Sequence, residues 1–222
     1  MAKAVALFSG GKDSCLALHK AIQAGYEVQY LLTIFPAGQD AWMFHTPNEE
    51  LLNKQAEEAG FALKTKNTGI GEKDEVGNLK ELLEEIKGQA EILVVGGIAS
   101  NYQGGRIRKV AEAVGLEIFA PLWHYNGEEL WEELLKEDFK VIMTKIACEG
   151  LPKKFIGKII DKNDIKEIKK LSEEYKFDIT GEGGDFETAV LFMPEFKKEI
   201  KIEFDMYSEG KYRHFLDIKE IE

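Results

Sequence analysis

Arginine is nearly missing from this chain. Only Arg106, Arg108 and Arg213 are arginines among 29 basic residues, and 40 acidic residues leave a formal net charge of -11. A surface this acidic repels a phosphate backbone, so stable nucleic-acid binding is not expected. Cysteine is equally scarce. Cys15 and Cys148 stand far apart, with no Cys-x-x-Cys and no Cys/His spacing to suggest a zinc or redox centre. No run approaches the ~18 apolar residues of a membrane span. The start, Met-Ala-Lys, lacks the apolar stretch and cleavage site of a signal peptide. These absences predict a cytoplasmic protein with no membrane partner and no disulfide. The Walker A spacing and the G-x-G-x-x-G fingerprint are missing too. So are internal repeats and low-complexity tracts.

What is present is ample for a core: 44% of 222 residues are hydrophobic, enough for one large or two modest domains. Residues 3–8, 27–35, 61–66 and 91–96 read as strands. Residues 13–24, 47–59, 73–87 and 101–114 show helical spacing, with Gly25, Gly60 and Gly115 at the stops. This alternation predicts an α/β fold with a parallel sheet and helices on both faces. The uninterrupted apolar strands 3–8 and 91–95 fit full burial. After Pro121 the texture changes to helices at 127–137 and 161–175, a strand at 139–146, and a hairpin pattern over 199–207 and 211–218. The expected division is a nucleotide-binding domain over 1–120 and a smaller α/β substrate-binding domain over 121–222.

The chemistry concentrates first in Ser9-Gly10-Gly11-Lys12-Asp13-Ser14, between a buried strand and a helix. The glycines let the backbone approach a ligand, and successive N–H groups make an anion-binding nest at the positive end of the helix. Lys12 supplies a mobile positive charge, and the Ser9 and Ser14 hydroxyls can donate to phosphate oxygens. Asp13 either helps hold Mg2+ or caps the helix. These residues resemble the pyrophosphate-binding loop of the N-type ATP pyrophosphatases. The resemblance implies an adenine nucleotide alpha hydrolase-like (HUP) sheet and cleavage of ATP to AMP and pyrophosphate through an adenylated intermediate.

Three further segments narrow the resemblance: Trp42-Met-Phe-His-Thr, the stretch from Ala99-Ser-Asn-Tyr-Gln-Gly-Gly-Arg to Trp123, and Gly181-Glu-Gly-Gly-Asp-Phe-Glu-Thr onward to Pro194. In this order, over nearly the whole chain, they resemble the diphthine–ammonia ligase family. That implies ATP-driven amidation of the diphthine carboxyl group on translation elongation factor 2, with ammonium as nitrogen donor. Two departures stand out. Gly104 occupies a position where the family usually has arginine, so Arg106 or Arg108 would have to replace a phosphate contact. Asp185 stands where glutamate is usual.

Gln103 and Arg106, three apart at a helix start, are expected to face the nucleotide, with Arg106 stabilising charge on the α-phosphate. Glu182, Asp185 and Glu187, interleaved with glycine, suggest a site for a cation. A carboxylate there can deprotonate ammonium, ligate Mg2+ or face diphthine's trimethylammonium group. Quaternary ammonium groups favour aromatic faces, which makes Trp42, Phe44, Trp123, Tyr125 and Phe186 candidate pocket residues. His45 is a substrate-contact candidate. The catalytic expectation rests on Lys12, Arg106, Glu182 and Glu187. Competing readings are a tRNA-modifying enzyme of the same superfamily, an ammonia ligase for a small acid, and a nucleotide sensor. The oligomeric state is open, a homodimer being one outcome.

Overall fold

The first strand carries almost no side-chain volume at its centre. Ala4, Val5 and Ala6 are fully buried, and small residues there let helices close over both faces of a sheet. A computed structural model describes residues 1–35, 48–67, 72–97, 101–123 and 125–222, with the side chains of 72–75 and 101–104 outside that description. The chain divides into two compact units, Met1–His124 and Tyr125–Glu222.

The first unit is built on β1 (Lys3–Leu7), β2 (Glu27–Phe35), β3 (Ala62–Asn67), β4 (Ile92–Val94) and β5 (Glu117–Phe119). They form one parallel sheet in the order β3-β2-β1-β4-β5. Between them run α1 (Lys12–Gln23), α2 (Glu49–Ala59), α3 (Glu72–Glu85) and α4 (Asn101–Val114). Val5 joins Leu79, Leu82, Leu83, Leu93, Val110 and Ala111 in one apolar cluster, which places α3 and α4 on one face. By strand alternation Ala4 and Ala6 point the other way. There α1 contacts β1, β2 and β4 and buries Cys15, Leu16 and Leu18 completely. Burying each such leucine contributes about 1.5–3 kcal/mol, so this face of α1 fixes the helix against the sheet. Helix α2 starts at Asn48, whose side chain accepts from the Leu51 N–H at 2.8 Å, and stops at Gly60, left-handed at φ 77°.

The second unit contains α5 (Gly127–Lys136), β6 (Lys140–Ile146), α6 (Lys162–Tyr175), β7 (Phe186–Phe192), β8 (Ile202–Glu209) and β9 (Arg213–Ile221). Its sheet is antiparallel, in the order β7-β6-β9-β8. Capping boxes start both helices, Asn126 with Glu129 and Asp161 with Asp164. The Trp131 indole is buried and donates to the Ile179 carbonyl at 2.9 Å.

Two strands, β5 and β7, were not expected, and the final hairpin lies two or three residues further along than its pattern placed it. β5 is too short to show a period. β7 follows a glycine-rich turn and carries the consecutive polar residues Glu187 and Thr188 near its start, so it reads as the end of a loop. Among the described residues no helix is long and apolar enough to cross a membrane.

Candidate functional site

Strand order reverses between β1 and β4: the chain winds outward one way through β2 and β3, and the other way through β5. The crevice beyond the carboxyl ends of strands at such a reversal is where open α/β sheets bind ligands. The connection from β1 to α1 lies there. It contains Phe8, Ser9, Gly10 and Gly11, with Gly11 as N-cap of α1 and no side chain capping that helix end. The first turn of α1 therefore keeps its positive end open.

The loop carbonyls are held from the protein side. Thr33 Oγ1 donates to the Phe8 carbonyl. Gln55 Nε2, on α2, donates to the Gly10 carbonyl at 2.9 Å. The Gly11 carbonyl accepts from the Cys15 N–H at 3.1 Å and from Ser14 Oγ at 3.1 Å. A trans peptide is planar, so each fixed carbonyl turns the following N–H the opposite way. Gly10 sits at φ 72°, and a Cβ there would lie 2.0 Å from Gln55 Oε1, so the loop needs glycine at this point. Gly96, just past β4, runs against the start of α1. A Cβ on it would lie 2.7 Å from the Asp13 carbonyl and the Ser14 nitrogen. The two serines pair, with Ser9 Oγ 3.1 Å from Ser14 Oγ and the Ser9 N–H donating to Ser14 Oγ at 3.2 Å.

Lys12 is not the mobile charge expected of it. It is 3% exposed, with Nζ 2.8 Å from Asp13 Oδ2. Nor does Asp13 cap α1, because Gly11 holds that position. Asp13 Oδ1 is buried and has no hydrogen-bond partner. An unsatisfied buried carboxylate oxygen costs about 1–3 kcal/mol or more. Hard, oxygen-seeking cations such as Mg2+ are held by one or two carboxylates plus substrate phosphates, and this oxygen fits that role.

The other expected residues fall in several places. α4 starts at Asn101, which puts Gln103 in its first turn and Arg106, half-buried, in its second rather than its first. The Arg108 guanidinium lies 6.0 Å from the centre of the Trp123 ring, and both line a small apolar hollow with Val95, Ile107, Ile118 and Ala120. Trp42, Phe44 and His45 lie outside the described residues, as does the side chain of Gln103. In the second unit Glu182 opens a short 3-10 turn, Glu182–Gly184, that leads into β7. Asp185 braces that turn: its Oδ2 accepts from the Asp178 N–H at 2.8 Å and its carbonyl from the Ala147 N–H at 2.8 Å. Phe186 is buried in the core. Glu187 pairs with Lys145 at 2.8 Å. Cys148 nearby has its thiol pushed up to about 11, by burial first and then by the Asp185 carboxylate. Among the described residues no three His, Cys, Asp or Glu side chains gather to hold a metal.

Sequence reasoning did not connect Gln55, Thr33 or Gly96 with the loop. Gln55 left one signal, a polar residue on the same stripe of α2 as the buried Leu51, Leu52 and Ala56.

Residues 2–118 match the diphthamide synthase N-terminal domain, and residues 126–222 match the diphthamide synthase C-terminal domain. The chain belongs to the diphthamide synthase family. The cattle protein named diphthine–ammonia ligase is 32% identical over 97% of this chain and 91% of its own length. The human protein of that name gives the same identity and the same coverage. A solved structure, a predicted tRNA methyltransferase subunit from Methanocaldococcus jannaschii, aligns over 90% of this chain and all of its own. It does so at 19% identity with a TM-score of 0.48. Within the diphthamide synthase family, the phosphate-type loop and the acid-bearing turn thus lie in separately matched halves.

Proposed function

We propose that this diphthamide synthase family member is an ATP-dependent diphthine–ammonia ligase acting on translation elongation factor 2. The reading is carried by the match of both halves of the chain to the family. The loop after β1 gives it a chemical basis.

An oxygen of the diphthine carboxylate attacks the α-phosphorus of ATP, and pyrophosphate leaves. The nitrogen of ammonia then attacks the acyl carbon of the adenylate, and AMP leaves with the carboxyl oxygen. One amide forms for each ATP split to AMP and pyrophosphate. In the first step the chain must hold a pyrophosphate leaving group. The N–H groups of Gly11 and Lys12 and the open end of α1 bind it, and Lys12 balances its charge. Asp13 Oδ1 would hold Mg2+, which when bound would supply positive charge against the phosphates. Arg106 and Gln103 act on the α-phosphate, where charge develops during attack.

In the second step ammonium must lose a proton before its nitrogen can attack. Glu182 and Glu187 take that work, with Asp185 keeping the turn between them in shape. Trp42, His45 and Trp123 contact the modified histidine. The buried ring of Phe186 serves the turn by packing beneath it, so the role of Phe186 in substrate binding is indirect. Free ammonium is the nitrogen source in this reading, and glutamine in its place is expected to yield no product.

The test mixes the protein with Mg-ATP, ammonium and elongation factor 2 carrying diphthine, and follows AMP release and the mass of the factor. AMP formation with an acid-to-amide mass change is expected. ATP cleavage with an unchanged factor would move the substrate to a small acid or a tRNA base.

A further inference from the structure

A Gly-Gly peptide has no Cβ on either side to bias its orientation, so it flips more readily than any other. The Gly10–Gly11 peptide is of this kind, and its N–H belongs to Gly11, the N-cap of α1. If that peptide turned over, the phosphate loop would present a carbonyl oxygen where it now presents a donor. The two angles that would turn, ψ of Gly10 and φ of Gly11, both belong to glycines, whose backbone tolerates either orientation. The restraint comes from forty-five residues further along the chain. Gln55 is 1% exposed, and its amide nitrogen donates to the Gly10 carbonyl at 2.9 Å. Its Oε1 occupies the space that a Cβ on Gly10 would need.

We infer that Gln55 is a positioning residue for the nucleotide reaction: it locks the Gly10–Gly11 peptide with the Gly11 N–H turned toward the phosphates of ATP. The inference rests on the reading that ATP binds at this loop. Planarity of the trans peptide supplies the logic. With the carbonyl pinned to Gln55, the N–H points directly away from it. Neighbouring peptides are pinned in the same sense by Thr33 at Phe8 and by Cys15 and Ser14 at Gly11. Gln55 differs from those contacts in coming from α2, where it lies beside the buried Leu51, Leu52 and Ala56. A leucine at position 55 would extend that apolar stripe, so packing alone gives no reason for an amide there.

The amide can be tested through its donor. In Gln55→Glu the shape is kept, but an ionised carboxylate has no proton to give and repels the Gly10 carbonyl. A protonated carboxyl donates as the amide does. At this depth burial holds the proton on to a higher pH than in water. The measurement is Mg-ATP affinity by calorimetry for wild type, Gln55→Glu and Gln55→Leu, with thermal melting of each. Taking mutant-to-wild-type ratios at each pH cancels the titration of ATP itself. Gln55→Glu is expected near wild-type affinity at about pH 5 and about tenfold to a hundredfold weaker at about pH 8, the range for one charge-assisted hydrogen bond. Gln55→Leu is expected to be folded and weak at both pH values. Wild-type affinity in folded Gln55→Leu, or the same deficit in Gln55→Glu at both pH values, overturns the inference. Absence of Mg-ATP binding by the wild-type protein instead removes the underlying reading of the loop.

Discussion

Two glycine-rich segments invite the same reading, and the structure separates them. Ser9–Ser14 and Gly181–Glu187 each place acids and glycines in a tight turn beside a strand. In the first, the backbone carbonyls are pinned from outside and one carboxylate oxygen of Asp13 is buried without a partner. In the second, Asp185 is used up on the Asp178 N–H and Glu187 on Lys145. The second turn is held by protein partners, so its shape is set within its own unit. The first turn holds its acceptors away and leaves one oxygen of the Lys12-paired Asp13 carboxylate buried without a partner, which suits a ligand that the chain does not supply. Glycine content and acid count do not distinguish the two cases; hydrogen-bond partners do.

The sharpest way to break this comparison is to add one methyl group against the first segment and one within the second. Gly96→Ala puts a Cβ 2.7 Å from the backbone at the start of α1. The displaced loop should cost about a hundredfold in kcat/KM for AMP formation, the usual penalty for a misplacement of about 1 Å. Gly183→Ala meets nothing within 4 Å, although it sits at φ 83°. It should lower stability by about 1–2 kcal/mol from backbone strain alone, and leave ATP affinity unchanged. Equal losses of ATP affinity from both substitutions would dissolve the distinction.

Next in size is Asp13→Asn, which keeps the shape and removes the charge. ATP affinity in the presence of Mg2+ should fall about tenfold or more, while affinity measured in a chelator should change little. A deficit of the same size with and without Mg2+ would mean that Asp13 acts only through Lys12. Smaller again is Asp185→Ala, which leaves the Asp178 N–H without its acceptor. About 1–2 kcal/mol of stability should be lost in denaturant unfolding, with activity per folded molecule changed far less than by Gly96→Ala.

The smallest effect is on Cys148. Its pKa in the folded protein is raised from 9.0 to about 11. The unfolded thiol ionises first, so this contribution to stability is complete below pH 9.0 and fades as pH climbs toward 11. Comparing pH-melting curves of wild type and Cys148→Ala isolates it, and Asp185→Asn should make the fade smaller by ending it at lower pH. Cys148 should also react slowly with thiol reagents at neutral pH.

Much of the first unit was legible. β2 and α4 fall where apolar period and glycine stops put them, at Glu27–Phe35 and Asn101–Val114. The other helices of that unit are displaced by one or two residues at their ends, where capping decides the boundary. β7 was not legible, because Glu187 and Thr188 interrupt its apolar residues. Their burial depends on β6, which comes forty residues earlier. The phosphate loop was visible as a string of six residues, but the state of Lys12 was not. A lysine beside an aspartate reads as a solvated pair until the helix start is seen to bury it.

The sequence alone determined the parallel α/β unit, the place of the glycine-rich loop after β1 and the family, because each depends on local period, turn chemistry or residue order along the chain. Tertiary structure alone decided which polar groups in the two glycine-rich turns are already matched. It also decided that Gln55, Thr33 and Gly96 belong to the loop's surroundings. Those assignments depend on distances between residues remote in sequence, and a hydrogen bond or a 2.7 Å approach has no periodicity by which a linear reading can find it.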